Sequence, residues 1–230
     1  MQRMILLSTH KICPVYRICY KKSTRKLIVC ASKVGSTALS NSFTEASNDI
    51  IYSNSLGGGG GEAVYDTSLV FAAKSKWFIY RDPMERFVSW YDSFIVRRSH
   101  TVGPSTDTDG YSHSVRNQAY ELCIAMYSPE KTFEENALMV LRNRRFKEVY
   151  FHDDHLIPMS FFFLNNGQNI NDYHIIHTKW LAPLIQREFF DSSIPADTYH
   201  YETVVPDSLN EFRYLWNSDY IFLEPRVRAL

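Results

Sequence analysis

Two short apolar runs, each followed at once by a loop and a helix-forming stretch, restrict this chain to a small set of folds. Leu27, Ile28, Val29, Cys30 and Ala31 are continuous and rich in β-branched side chains. That is the pattern of a strand buried on both faces, since a half-exposed strand alternates instead. Trp77, Phe78, Ile79 and Tyr80 form a second such run. The first leads through residues 32–36 into a stretch, 37–46, able to form a helix. The second leads through Arg81 and Asp82 to Pro83, whose fixed φ suits a first helical position. Beyond it, Phe87, Val88, Tyr91, Phe94 and Ile95 fall on one helical face. The repeated order of strand, loop and helix predicts an α/β fold with a central, mostly parallel sheet flanked by helices.

The rest of the chain fits one domain spanning residues 1–230. A strand and turn are expected within 63–72, helices over 115–127 and 129–145, a strand at 172–177, and helices at 181–190 and 207–217. The 129–145 helix takes Ser128 as its cap and Pro129 at its first position, with Arg142, Arg144 and Arg145 at its end. Residues 1–25 read as an N-terminal extension. The five consecutive glycines at 57–61 form a flexible loop, either a lid hinge or the replacement of a disordered segment. Residues 98–114, rich in Gly, Pro, Ser, Thr and Asp, read as a long flexible surface loop. With 45% hydrophobic residues the chain fills one sizeable core. Its net charge of zero argues against a nucleic acid or a membrane surface as partner. Cys13, Cys19, Cys30 and Cys123 make no CxxC pair, so a reducing compartment is expected, with Cys30 and Cys123 in the core. No run spans a bilayer and the apolar start is too short for a signal peptide, which predicts a cytoplasmic protein without a membrane partner.

The chemistry concentrates after the two strands. Lys33, Val34, Gly35, Ser36 and Thr37 follow the first, where backbone N–H groups and a helix start favour an anion. Gly35 permits close approach, Ser36 and Thr37 add hydroxyl donors, and Lys33 adds a mobile charge. The lysine precedes the glycine in a short loop, so this is not a Walker A motif. Arg81 ends the second strand, where α/β folds place ligand contacts. Ser89, one or two helical turns on, is able to face back toward it, and a guanidinium with a hydroxyl grips a monophosphate. The plainer alternative for Arg81 is an ion pair with Asp82 or Glu85.

These two segments resemble the nucleotide-binding motifs of sulfotransferases that use 3′-phosphoadenosine 5′-phosphosulfate (PAPS). Residues 33–37 are similar to their 5′-phosphosulfate loop, and residues 81–94, Arg-Asp-Pro-Met-Glu-Arg-Phe-Val-Ser-Trp-Tyr-Asp-Ser-Phe, to their 3′-phosphate motif. A looser likeness to the carbohydrate, Golgi-type branch extends to Asp154, His155 and Pro158, which resemble a D-x-H-x-x-P-Q segment with Met159 in place of the glutamine. Residues 215–222 resemble its C-terminal Y-x-x-D-Y-x-L-F. The resemblance implies a P-loop-like sulfotransferase fold, PAPS as donor and PAP as product. It gives Lys33 the bridging oxygen, residues 33–37 the phosphosulfate, and Arg81 with Ser89 the 3′-phosphate. No metal is required, because a sulfuryl group carries less charge than a phosphoryl group. His152, Asp153, Asp154 and His155 lack the HExxH spacing of a zinc site.

The general base is a choice among acids between the two motifs, Glu45, Asp49, Glu62 and Asp66, with Asp66 first and Glu62 second. His155 is a further candidate. The acceptor is a hydroxyl or amine of a small molecule or saccharide. Phe161, Phe162, Phe163, Tyr111, Tyr173 and Trp180 either line its pocket or sit in the core. The short chain, without the membrane anchor of Golgi relatives, leads us to expect a small soluble enzyme rather than a glycan sulfotransferase. Loss of the usual histidine base supports the alternative of an inactive PAP- or anion-binding module. A P-loop kinase relative fits less well, for want of a Walker B carboxylate.

Overall fold

The computed structural model describes residues 16–31, 33–34, 39, 48–53, 67–97, 118–153, 155–165, 167–190 and 203–229. Among them a six-stranded sheet has the order β3-β1-β2-β4-β5-β6. Its strands are β1 (Tyr16–Lys21), β2 (Lys26–Ala31), β3 (Ile50–Ser53), β4 (Ser75–Tyr80), β5 (His174–His177) and β6 (Val227–Arg228). The pairs β2·β4, β4·β5 and β5·β6 are parallel, while β1 runs antiparallel to both β2 and β3. The fold is therefore α/β with a mostly parallel sheet. Part of the expected N-terminal extension is strand β1, paired in register along the whole of β2. Leu27, Ile28, Val29 and Cys30 are fully buried, as a two-sided strand requires. Cys19 and Cys123 are also buried, and burial pushes the Cys19, Cys30 and Cys123 thiols up, which makes them inert core groups.

The helices that follow are α1 (Thr67–Ala72), α2 (Pro83–Tyr91), α3 (Gln118–Met126), α4 (Phe133–Arg142), α5 (Arg144–Val149), α6 (Phe161–Asn165), α7 (Leu181–Phe189) and α8 (Asn217–Phe222). A 3-10 helix, Asp207–Trp216, runs directly into α8. Where a strand and turn were expected within 63–72, α1 is a helix. Its Val70 is packed into the sheet core with Leu69 and Ala72 against it, while Phe71 is 70% exposed, which fixes its face. The expected 129–145 helix starts later and breaks. Thr132 and Glu135 form a capping box, each side chain accepting from the other's backbone N–H, and this reciprocal pair outcompetes Ser128 with Pro129. Ser128 instead exchanges hydrogen bonds with the buried Asn136 side chain. Asn143 is extended and caps α5, ending α4. The helix expected at 37–46, apart from Leu39, lies outside the described residues, as do the 57–61 and 98–114 loops. No helix among the described residues is long and apolar enough to cross a membrane.

Two apolar clusters form. One surrounds the sheet and includes Phe162, Phe163 and Tyr173, which pack edge to face. These aromatics are core, not pocket. The other lies among α2 to α5 and the 3-10 helix, around Phe87, Trp90, Phe146 and Trp216. Between them Arg86 and Asp219 are buried at 1% and 0% exposure. Asp219 accepts from the backbone N–H groups of Met159 (2.9 Å) and Ser160 (2.8 Å), and Arg86 donates to the Ile157 carbonyl at 2.7 Å. Burial pulls the Arg86 pKa down and pushes the Asp219 pKa up, while each charge acts to restore the other. Asp219→Ala leaves the buried Met159 and Ser160 N–H groups without their acceptor and is expected to cost about 1–3 kcal/mol in urea unfolding.

Candidate functional site

Parallel pairing sets the carboxyl ends of β2, β4 and β5 side by side, with Cys30 beside Ile79 and Tyr80 beside His177. The loop after β2 is held there by its carbonyls. Arg81 Nη1 donates to the Lys33 carbonyl at 2.9 Å, and Thr178 Oγ1 donates to the Val34 carbonyl at 2.9 Å. Lys33 itself has a left-handed backbone, φ +62°, which costs a non-glycine residue roughly 1 kcal/mol and marks a constrained position. Its ammonium lies 4.5 Å from the centre of the Phe94 ring.

Arg81 is 8% exposed. Besides the Lys33 carbonyl it reaches Thr203 Oγ1 through Nη2, and Nε meets Glu85 Oε2 at 3.3 Å. Burial lowers the Arg81 pKa and raises that of Glu85, outweighing their mutual attraction in both cases. The ion pair with Glu85 is thus real but leaves the guanidinium's desolvation unrepaid.

Helix α2 starts at Pro83 because Asp82 caps it, accepting from the Met84 and Glu85 N–H groups. Asp82 also accepts from Arg213 (2.8 Å) and Tyr220 (3.1 Å), which ties the C-terminal segment to this helix start. After Tyr91 the helix widens into one π-helical stretch, Asp92–Val96, closed by the Arg97 N–H to the Asp92 carbonyl. Such widenings are rare in helices and concentrate at functional sites. On one side of it Val88, Ser89, Asp92, Ser93, Arg97, Phe133, Thr203 and Val204 line an open cleft of about 370 Å³. Hydroxyls of Ser89, Ser93 and Thr203, the Arg97–Asp92 ion pair (2.7 Å) and three apolar walls give it both polar and apolar recognition.

The Phe94 ring carries His155 as well as Lys33, with ring centroids 4.8 Å apart. Both the His155 backbone N–H (2.7 Å) and its Nδ1 (3.0 Å) meet Oδ1 of the buried Asp153.

Of the site residues expected from sequence, Lys33, Val34, Arg81, Ser89 and His155 converge at this sheet edge. Arg81 stands behind Thr203 and does not line the cleft itself. Gly35, Ser36, Thr37, Glu45, Glu62 and Asp66 lie outside the described residues. Asp49 is excluded as the base: it accepts from the Ser23 N–H and hydroxyl in the turn before β2, a strand length of roughly 17 Å from the β2 carboxyl end. Sequence reasoning missed Thr203, Phe94 and Asp153. The Asp153-x-His155 spacing carried a signal for the last, Phe94 read only as a core position, and nothing around Thr203 marks it. No protein-family model, curated protein or solved structure matches the chain.

His177 closes the site at the end of β5. Its Nδ1 accepts the Lys179 N–H, and burial, then the Lys179 and Arg81 charges, hold its pKa below the ordinary 6.5. Between the folded and unfolded pKa values the unfolded chain binds more protons, so this histidine's contribution to stability falls as pH drops below 6.5. His177→Asn keeps an acceptor for Lys179 without the titration. Urea unfolding at about pH 7.5 and about pH 5.5 is expected to show a smaller loss for the variant than for wild type.

Proposed function

We propose that the protein is a PAPS-dependent sulfotransferase with a P-loop-like sulfotransferase fold, transferring a sulfuryl group to a hydroxyl or amine of a small acceptor. The observation that carries this reading is the guanidinium of Arg81, at the end of β4, joined both to the Lys33 carbonyl after β2 and to Thr203 in the cleft beside Ser89. One buried cation thus connects the two segments that would hold the two phosphate ends of such a nucleotide. The residues present fit it. The hydroxyls of Ser89, Ser93 and Thr203 and the Arg97 cation suit a 3′-phosphate, with Val88, Phe133 and Val204 as apolar walls for a base. A guanidinium whose desolvation its own carboxylate does not repay gains from a nearby anion. Lys33 would neutralise charge on the departing phosphate, and its backbone, held through the Lys33 and Val34 carbonyls, would present that charge without reorganisation.

Calorimetric titration with PAP, with ATP and magnesium as the control, tests this. PAP is expected to bind more tightly than ATP. Ser89→Ala should weaken PAP about tenfold, the scale of a lost hydrogen bond to a charged group, and Arg81→Ala should weaken it as well, by releasing Thr203 and the Lys33 carbonyl. Folded wild-type protein that ignores PAP, or prefers ATP with magnesium, would exclude the reading.

A further inference from the structure

The cleft beside the widened helix carries a carboxylate that an anion alone does not call for. Asp92 lines it together with Ser89, Thr203 and Arg97. The π-helical widening builds this arrangement. Residues five apart in a regular α-helix stand about 140° apart around the axis, whereas here the Arg97 N–H closes on the Asp92 carbonyl and brings Arg97 over Asp92. Arg97 Nη2 then meets Asp92 Oδ2 at 2.7 Å. Among the described residues no hydrogen bond engages Asp92 Oδ1. Ser89 lies one turn earlier, its carbonyl accepting the Asp92 N–H, and side chains three apart are neighbours on a helix surface. Across the cleft, Thr203 Oγ1 accepts from Arg81 Nη2, which leaves its own proton for a ligand. Donors for an anion and an acceptor that repels one thus stand side by side.

We infer that Asp92 accepts the ribose 2′-hydroxyl next to the bound 3′-phosphate, so that the cleft takes a ribonucleotide and turns away its 2′-deoxy counterpart. This rests on the PAPS reading above. A carboxylate only accepts, so a ligand that seats an anion beside Asp92 has to offer it a donor as well. On a ribose 3′-phosphate the 2′-hydroxyl is that donor: it sits on the adjacent carbon, on the same face of the ring as the phosphate. Ser89, Thr203 and Arg97 then take the phosphate and Asp92 takes the hydroxyl. Acidic side chains read ribose in this way in dinucleotide sites of other α/β folds. Without the hydroxyl, Asp92 faces the phosphate as like charge to like charge. Its side chain is 35% exposed and keeps some water. The penalty is therefore that of one charge-assisted hydrogen bond and not the roughly 10⁴-fold rejection of a fully buried site.

Calorimetric titration of the full chain with PAP and with 2′-deoxyadenosine 3′,5′-bisphosphate, which differ by one oxygen, tests this. Wild type is expected to bind PAP about tenfold more tightly than the deoxy compound. Asp92→Ala should bring the two affinities to within about twofold, by weakening PAP and by freeing the deoxy compound from the facing charge. Asp92→Asn, which keeps the side-chain shape, should give an intermediate ratio, since a neutral amide accepts more weakly than a carboxylate. Ser89→Ala should weaken both ligands and leave their ratio unchanged. A ratio that collapses only at Asp92 separates hydroxyl readout from a general loosening of the cleft. Equal wild-type affinities overturn the inference, as does a tenfold ratio that survives in both Asp92 variants. Either result leaves the nucleotide reading standing, whereas wild type that binds neither compound removes the reading beneath it.

Discussion

Everything near the carboxyl edge of the sheet hangs on two charges that have no access to water. Arg86 and Asp219 come from segments far apart in the chain, and together they engage the backbone of 157, 159 and 160. A buried ion without partners costs several kcal/mol, and these backbone groups supply partners to both. The hydrogen bonds that satisfy them also fix the path of the chain on both sides of Pro158. Trp216 adds a third tie, its indole N–H donating to the Leu156 carbonyl at 2.6 Å. The segment that follows Asp153 and His155 is thus anchored at its C-terminal end, and the Arg86 charge also acts on Asp153.

The same economy governs the β2 loop. Its two described carbonyls are bound from β4 and from the segment after β5, so the backbone of Lys33 is set by its neighbours and not by its own preference for negative φ. On the proposed reading, the orientation of the transferred group comes from this cross-strand bracing, and Lys33 contributes charge at a position already fixed. The widened helix meets two sets of groups: Ser89, Ser93 and Thr203 line the cleft on one side, and the Phe94 ring meets Lys33 and His155.

How much of this the sequence carried depends on the range of the forces involved. The strands β2 and β4 were legible because continuous apolar, β-branched runs have few alternatives. The start of α2 was legible because Asp82 and Pro83 are both local signals. Strand β1 was not, since Tyr16, Ile18 and Cys19 gain their burial from β2, β3 and distant groups such as Phe78 and Phe162, and its own run includes Arg17 and Lys21. The capping box at Thr132 shows two local signals in competition, in which the reciprocal pair prevails. In the candidate site, Lys33, Arg81 and Ser89 were named from the sequence because each follows a strand in a recognisable spacing. Thr203 and the partnership of Asp153 with His155 across Phe94 depend on contacts between segments, which spacing alone does not encode.

The π-helical stretch at Asp92–Val96 has a consequence for how this region tolerates change. It works as a one-residue surplus in an otherwise α-helical frame. Removing a single residue within it would restore uninterrupted α-geometry and swing everything downstream by roughly a quarter-turn, while Val88 and Ser89 upstream stayed where they are. With the residue lost before Phe94, that ring would then leave both Lys33 and His155 although no residue of the trio had been altered. The helix acts as a phase element: its length in residues sets which way its later side chains face, and the platform at the sheet edge exists in only one phase.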